Sequence, residues 1–346
     1  MPRALILGGT GPIGRAAAGR LLADGWRVDV TGRDPRRMPD GLRAAGARFL
    51  VADRSDPAQL KGAVRSGADL IVDCLCYTAA DARLLLRLAE HATSTVLISS
   101  RAVYVDAHGN HANSAIPPRF DGPVRETQPT MTPGDMDHRS PEGYGANKAA
   151  AERTALDSGL PVTVIRPGLV HGPGAANPRE WVLVKRILDR RATVLLADGG
   201  RGVVHTTAAA NLAALIATVA ERPGTRILNC ADPDAPSALE ISRTVAGHLG
   251  HSWREVLLDA TAPEWLGRTP WDAPHPVVLD MSAAHDLGYR PAGSYARTVA
   301  AELDWLLRAA RTGDPAGILP AADDPSFAPF LDYAAEDAYL AGSARS

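Results

Sequence analysis

The first fourteen residues constrain this chain more than any other stretch. Ala4-Leu5-Ile6-Leu7 is an apolar run of strand type, and it stops at Gly8-Gly9-Thr10-Gly11-Pro12-Ile13-Gly14. A helical pattern rich in alanine and leucine follows at once, from Arg15 to Ala23. Strand, glycine-rich turn and helix in that order form the context that a dinucleotide-binding fingerprint requires. Gly8 and Gly9 permit the tight turn, Gly11 lets the backbone approach a pyrophosphate, and Gly14 lets the helix pack close on the strand. The unpaired N–H groups of the first helical turn then face the phosphates. Pro12 has no N–H to leave unpaired and suits a helix start. The spacing reads as Gly9-x-Gly11-x-x-Gly14 or as Gly8-x-x-Gly11-x-x-Gly14, with Thr10 and Ile13 inside the same cradle.

Beyond the fingerprint, strands and helices alternate. Strand-like runs fall at 4–7, 26–31, 47–51, 69–75, 94–99 and 161–166, with helical patterns at 13–23, 36–45, 56–65, 79–91 and 143–157. That rhythm predicts right-handed βαβ units and a parallel sheet, an α/β fold of the doubly wound Rossmann type. After Pro167 the pattern loosens, with helices expected at 178–190, 207–221, 236–249 and 296–311 and short strands at 194–196, 226–230 and 254–258. A chain of 346 residues exceeds one ordinary core, so a smaller α+β domain is expected beside the sheet. The division reads as a cofactor domain over 1–167, revisited around 203–231, and a substrate domain over 168–202 and 232–346. Asp106 to Pro141 is rich in Gly, Pro, Asn and Asp; a connection that long is either a substrate lid or a surface insertion without order. The tail from Pro325 to Leu340 carries Phe327, Phe330, Tyr333 and Tyr339, enough apolar area to dock.

A net charge of −2 argues against nucleic acid or a membrane surface as an obligatory partner. No apolar run reaches membrane-spanning length, and the N-terminus enters its first strand with no room for a signal peptide. Cys74, Cys76 and Cys230 make an odd count, and the Cys-x-Cys pair has no second pair at ligand spacing, so no metal site is expected. His108 and His111 lack ligand partners as well. These features predict a protein of the reducing cytoplasm.

Tyr144 and Lys148 are four residues apart in a helical stretch, which places both side chains on one face. A phenol, with a reference pKa of about 10, is a poor base at neutral pH. A nearby ammonium favours the phenolate: at 4 Å and an effective dielectric near 20 the attraction is about 4 kcal/mol. That brings the tyrosine into range for general acid–base work on a carbinol or carbonyl. Ser99-Ser100 closes a strand-like run, and ligands in open parallel sheets sit beyond the carboxyl ends of the strands; Ser100 is the hydroxyl expected to hydrogen-bond a substrate oxygen there. At the end of the second strand an acidic residue would take a ribose 2′-hydroxyl, and an arginine a 2′-phosphate. Gly32-Arg33 stands there, which favours NADP(H) over NAD(H). Asp29 faces away if Val28 and Val30 face the core. Asp53, after the third strand, is placed to meet the adenine or to cap a helix. His171 and His205 are candidates to line a substrate pocket.

Together these pieces resemble the extended short-chain dehydrogenase/reductase superfamily, the NAD-dependent epimerase/dehydratase group. The resemblance runs through Gly8–Gly14, Asp53, Ser99-Ser100-Arg101-Ala102-Val103-Tyr104, Tyr144 with Lys148, and Arg166-Pro167-Gly168 continuing to Gly172-Pro173-Gly174. It implies that Ser100, Tyr144 and Lys148 take the places of the catalytic triad. It further implies that Cys76, Ser99, Tyr144, Lys148, Arg166, Pro167 and Gly168 join Gly8–Gly14, Arg33 and Asp53 around the cofactor, that Arg101 joins His171 and His205 at the substrate, and that the chain forms a homodimer. The chain also departs from the family. Val105 stands where a glycine usually follows the Val-Tyr pair, and Asp73-Cys74-Leu75-Cys76-Tyr77 replaces the usual His-x-Ala-Ala. The Cys74–Asp81 region is more similar to a branch that holds stem-loop RNA-binding relatives and bacterial reductases. The resemblance therefore implies an NAD(P)-dependent hydride transfer of the epimerase/dehydratase type at a hydroxyl or keto carbon of a sugar-like, even nucleotide-sugar, small molecule. The alternatives are a plain NADPH-dependent ketoreductase of a small metabolite and a cofactor-loaded RNA-binding or regulatory protein without catalysis.

Overall fold

In the computed structural model, residues 1–64, 67–314, 317–321 and 323–343 are described. The first half builds β1 (Arg3–Leu7), α1 (Pro12–Ala23), β2 (Arg27–Gly32), α2 (Asp40–Ala44), β3 (Arg48–Val51), α3 (Pro57–Val64), β4 (Ala68–Asp73), α4 (Ala79–Ala89), β5 (Ala92–Ile98), α5 (Pro141–Leu156) and β6 (Val162–Pro167). Then come β7 (Leu169–His171), α6 (Trp181–Leu188), β8 (Thr193–Leu196), β9 (Thr206–Ala208), α7 (Ala209–Glu221), β10 (Arg226–Cys230), α8 (Ala238–His248) and β11 (Arg254–Leu257). The chain closes with α9 (Ser282–Asp286), α10 (Tyr295–Thr298), α11 (Ala300–Arg311) and α12 (Tyr333–Ser343).

Seven strands form one sheet in the order β10-β6-β5-β4-β1-β2-β3, with every pair parallel. Side chains alternate across it. Ala4 and Ile6 of β1 pack with α1 and α7 on one face, while Leu5 and Leu7 pack with α3 and α4 on the other. β1 lies between β2 and β4, so the strand order reverses there and a crevice opens beyond the carboxyl ends of β1 and β4. Helices α6, α8, α10 and α11 enclose a separate core of Trp181, Val184, Ile241, Trp271, Tyr295 and Leu303. The tail docks on it: Phe327 is buried, and Glu336 of α12 pairs with the buried Arg186.

The structure corrects some local expectations. The single helix expected over 36–45 is a 3-10 turn at Pro35–Arg37 followed by α2, because Pro39 stands between them and cannot donate the helical hydrogen bond. The helix expected from 178 begins at Trp181. Residue 65, the end of the helix expected over 56–65, and residues 344–346 of the expected substrate domain lie outside the described residues. The 106–141 segment has no long element but is tied down. The Asp106 carboxylate accepts hydrogen bonds from the N–H groups of His108 (2.9 Å), Asn110 (2.9 Å) and Arg119 (3.0 Å), and Val124 bridges to Leu279. Those bonds hold the Asp106 carboxyl well below the usual carboxylate range. Among the described residues no helix is long and apolar enough to cross a membrane.

Candidate active site

The glycine turn between β1 and α1 forms one wall of the crevice. Gly8 has φ +83°, a conformation that side-chain-bearing residues rarely adopt. A Cβ on Gly14 would strike the Gly8 carbonyl and would stand 2.6 Å from the Gly9 Cα, so α1 sits as close to the turn as backbone allows. A Cβ on Gly11 would meet nothing nearer than 3.7 Å, leaving that side of the turn open. It opens on a groove of about 660 Å³ lined by Thr10, Gly11, Pro12, Ile13 and Gly14, by Gly32, Arg33 and Arg37, by Asp53, and by Leu75 and Tyr77. At its far end Gly32 offers no carboxylate. Asp34 is already engaged, accepting from the Arg36 N–H at 3.0 Å and from its guanidinium. The Asp53 carboxylate accepts from the N–H (2.9 Å) and hydroxyl (2.7 Å) of Ser55, which hold its carboxyl below the usual range. Asp29 is buried and ion-paired with Arg3 (2.6 Å) and Arg48 (2.7 Å), away from the groove lining.

α5 carries the proposed acid–base pair, and Tyr77 of the groove lining stands between that pair and the groove, whose lining does not include Tyr144, Lys148 or Ser100. Ser140 caps its start by accepting from the Gly143 N–H at 3.0 Å. Gly145 allows the helix to press on the turn after β5: a Cβ there would stand 2.5 Å from the Ala102 carbonyl oxygen. Lys148 is buried, and its Nζ donates to the carbonyls of Cys76 (2.9 Å) and Ile98 (2.9 Å). An ammonium has three donors, so one is left. Nζ lies 4.5 Å from the centroid of the Tyr77 ring and 6.0 Å from that of Tyr144. Tyr144 is half-buried, and its hydroxyl makes no hydrogen bond to any described residue. Ser100 Oγ accepts from the Ala102 N–H at 3.1 Å. Lys148 thus ties the chain just after β4 and the end of β5 to α5, at the edge of the groove.

Other residues named from sequence have internal roles. Ser99 Oγ donates to Glu152, whose carboxylate also receives the Arg166 guanidinium at 2.5 Å; that guanidinium stands 4.7 Å from the Tyr104 ring. Ser99 and Arg166 therefore brace α5 through Glu152 from inside the protein, and their side chains are buried. Cys76 contributes its carbonyl; its thiol is buried, which pushes its pKa far up. Pro167 pairs with Cys230 in the sheet, and Gly168 donates its N–H to the Cys230 carbonyl (3.1 Å) where a Cβ would strike the His205 carbonyl. The two histidines expected at the substrate are buried. His205 Nδ1 accepts from the Leu279 N–H (3.1 Å), so Nε2 carries the proton and donates to the Asp232 carbonyl (2.8 Å). Burial lowers the pKa of His205. His171 Nε2 bonds Asp232 Oδ2 at 2.9 Å, and its ring packs edge-on to Tyr295. Its ring nitrogens and the carboxylates of Glu180 and Glu302 bring three ligand-type atoms within 4.8 Å of one another. Burial and the neighbouring Glu180 push the Glu302 carboxyl well up.

Sequence reasoning missed Tyr77, Arg37 and Arg179. The Arg33, Arg36, Arg37 run was visible in the chain; Tyr77 and Arg179 carry no local signal.

A protein-family model described as NAD(P)H-binding matches residues 8–223. The chain is 27% identical over 310 residues to 3-diazoavenalumate denitrifying reductase of a Streptomyces species, covering 84% of this chain and 96% of that protein. It is also 27% identical over 339 residues to 2′-dehydrokanamycin reductase of Streptomyces kanamyceticus, covering 90% and 86%. Among solved structures it is similar to dTDP-glucose 4,6-dehydratase of Bacillus anthracis in complex with NAD, with a TM-score of 0.66, 15% identity, and coverage of 89% and 97%. At that identity the likeness is one of fold.

Proposed function

The chain belongs to the NAD(P)H-binding family and has the fold of the extended short-chain dehydrogenases/reductases, and from that premise we propose that it is a reductase moving hydride between NADPH and a hydroxyl or keto carbon of a small, polyol- or sugar-like metabolite. The observation that carries this reading is Lys148, fixed by two backbone carbonyls on the same helix face as a tyrosine whose hydroxyl has no internal partner. The groove fits the cofactor: Gly11 leaves its backbone open to a ligand, and the first turn of α1, where N–H groups lack helical partners, lines the same space. The nicotinamide supplies the hydride when bound. Tyr144 donates its phenolic proton to the oxygen that becomes the alcohol, and Ser100 hydrogen-bonds that oxygen. Lys148 keeps positive charge beside the phenolate, with one N–H left for the cofactor ribose.

Two observations support the finer points. Arg33 and Arg37 line the far end of the groove with no free carboxylate beside Gly32, a pattern suited to a 2′-phosphate. Both curated relatives are named reductases, which favours release of oxidised cofactor over a cycle that returns the hydride within one turnover. Following the reduced-nicotinamide absorbance with a panel of hydroxyketones and keto-sugars tests this. Net consumption matching product is expected; product formed with no net change would replace the reductase reading by an epimerase or dehydratase.

A further inference from the structure

Two guanidinium groups at the catalytic end have no anionic partner. Among the described residues the buried arginines are all matched: Arg3 with Asp29, Arg54 with Asp73, Arg166 with Glu152 and Arg186 with Glu336. Arg101 and Arg179 are half-buried, and neither guanidinium makes a hydrogen bond or an ion pair with any described residue. Arg101 follows Ser100 on the turn that Gly145 presses against, so it stands at the junction with Tyr144. Arg179 comes from the other core, just before α6. The two guanidiniums and the Tyr144 hydroxyl lie within electrostatic reach of one another. Burial, reinforced by the charge of Arg179, pushes Arg101 down to about 10. The carboxylates of Glu180 and Glu302 lie near enough to favour the charge of Arg179, but neither acts on Arg101. Glu180 accepts from the Tyr295 hydroxyl at 3.2 Å, Glu302 accepts from the Gly172 N–H, and neither forms an ion pair with Arg179.

Two partly desolvated like charges disfavour each other, and a bound oxyanion relieves both; guanidiniums grip carboxylates and phosphates with paired donors. We propose that Arg101 and Arg179 form a clamp for an oxyanion of the substrate, a carboxylate or a phosphate, which holds its carbonyl against Tyr144 and Ser100. This rests on the oxidoreductase reading and narrows its substrate class to anionic metabolites.

The test uses binding, not turnover. The full-length protein, saturated with NADPH so that the α1 end of the groove is filled, is titrated with benzoate and separately with inorganic phosphate at constant ionic strength. Tryptophan fluorescence and thermal shift report binding. We expect at least one anion to bind at millimolar concentration or better, with affinity reduced at least tenfold in Arg101→Gln and in Arg179→Gln, less in the lysine variants, and unchanged in Tyr144→Phe. The anion preferred identifies the substrate group. NADPH fluorescence confirms that each variant is folded, and a variant that fails this check is replaced by its lysine form. Failure of both anions to bind, or equal affinity in wild type and both arginine variants, overturns the clamp. Failure of the wild type to bind NADPH or NADH instead overturns the oxidoreductase reading, and the same titrations of the free protein then decide the clamp alone.

Discussion

Replacing Lys148 by Met separates what this residue does for the fold from what it does for the chemistry. The ammonium is buried and hydrogen-bonds the carbonyls of Cys76 and Ile98. A buried acceptor left without a partner costs about 1–3 kcal/mol, so losing both bonds costs about 2–6 kcal/mol. Removing the ammonium also removes the cost of burying a charge, which is several kcal/mol, and methionine fills much of the same volume. The net loss therefore lies near the low end, about 2 kcal/mol, which for a chain of 346 residues corresponds to a fall in Tm of about 3 °C. Turnover should fall by ~10²-fold or more, because the proposed proton donor loses the cation on its own helix face. Tyr144→Phe is the control. Its hydroxyl has no partner among the described residues, so Tm should stay within about 1 °C of wild type while turnover falls by a similar ~10²-fold. The pair is measured by calorimetry and by nicotinamide absorbance on the same preparations. An unchanged Tm in Lys148→Met refutes the anchoring of α5 through the two carbonyls. Near-normal turnover in Tyr144→Phe refutes the assignment of the proton donor.

Other perturbations probe the rest of the site. Arg33→Ser combined with Arg37→Ser should raise the KM for NADPH about 10- to 100-fold, the equivalent of one or two charge-assisted hydrogen bonds, while NADH changes little; equal effects on both cofactors would remove the 2′-phosphate assignment. Gly14→Ala forces a methyl against the Gly8 carbonyl and Gly9 Cα, so cofactor affinity measured by fluorescence quenching should drop at least ~10-fold with overpacking typically costing ~1–3 kcal/mol. His205 is buried neutral and its pKa is lowered by burial. Its contribution is therefore present above the ordinary histidine value of about 6.5 and is lost as pH falls through the lower folded value. Melting curves from pH 7.5 to 5 should show a shallower acid decline in His205→Gln; an unchanged slope would place the acid sensitivity elsewhere.

Much of this was legible because neighbours in sequence decide it. The glycine turn works through residues three to six apart, and Tyr144 meets the Lys148 face through helix periodicity alone. The strands of a parallel sheet buried on both faces read directly as apolar runs. Pro39 shows the limit of that approach: the period over 36–45 was helical, and one missing N–H outweighed it. The strap after Tyr104 shows another. Its composition marks a loop correctly, but its order comes from one carboxylate, Asp106, collecting N–H groups up to thirteen residues away, and from a bridge between Val124 and Leu279.

The histidines and arginines mark the deeper boundary. His205 reads as a pocket residue from its flanking sequence, and only Leu279, 74 residues away, and Asp232, 27 away, turn it into a sealed interior group. Arg166 is the last residue but one of β6, and Arg101 comes three residues after the end of β5. Arg166 meets Glu152 and becomes a brace, while Arg101 meets another arginine and a phenol. No local pattern separates those two fates, because what distinguishes them is the sign of the charge that folding brings alongside. A guanidinium matched from within contributes to the architecture; one that folding leaves unmatched, near a second of the same sign, is the group the proposed clamp calls on for a charge that arrives with the ligand.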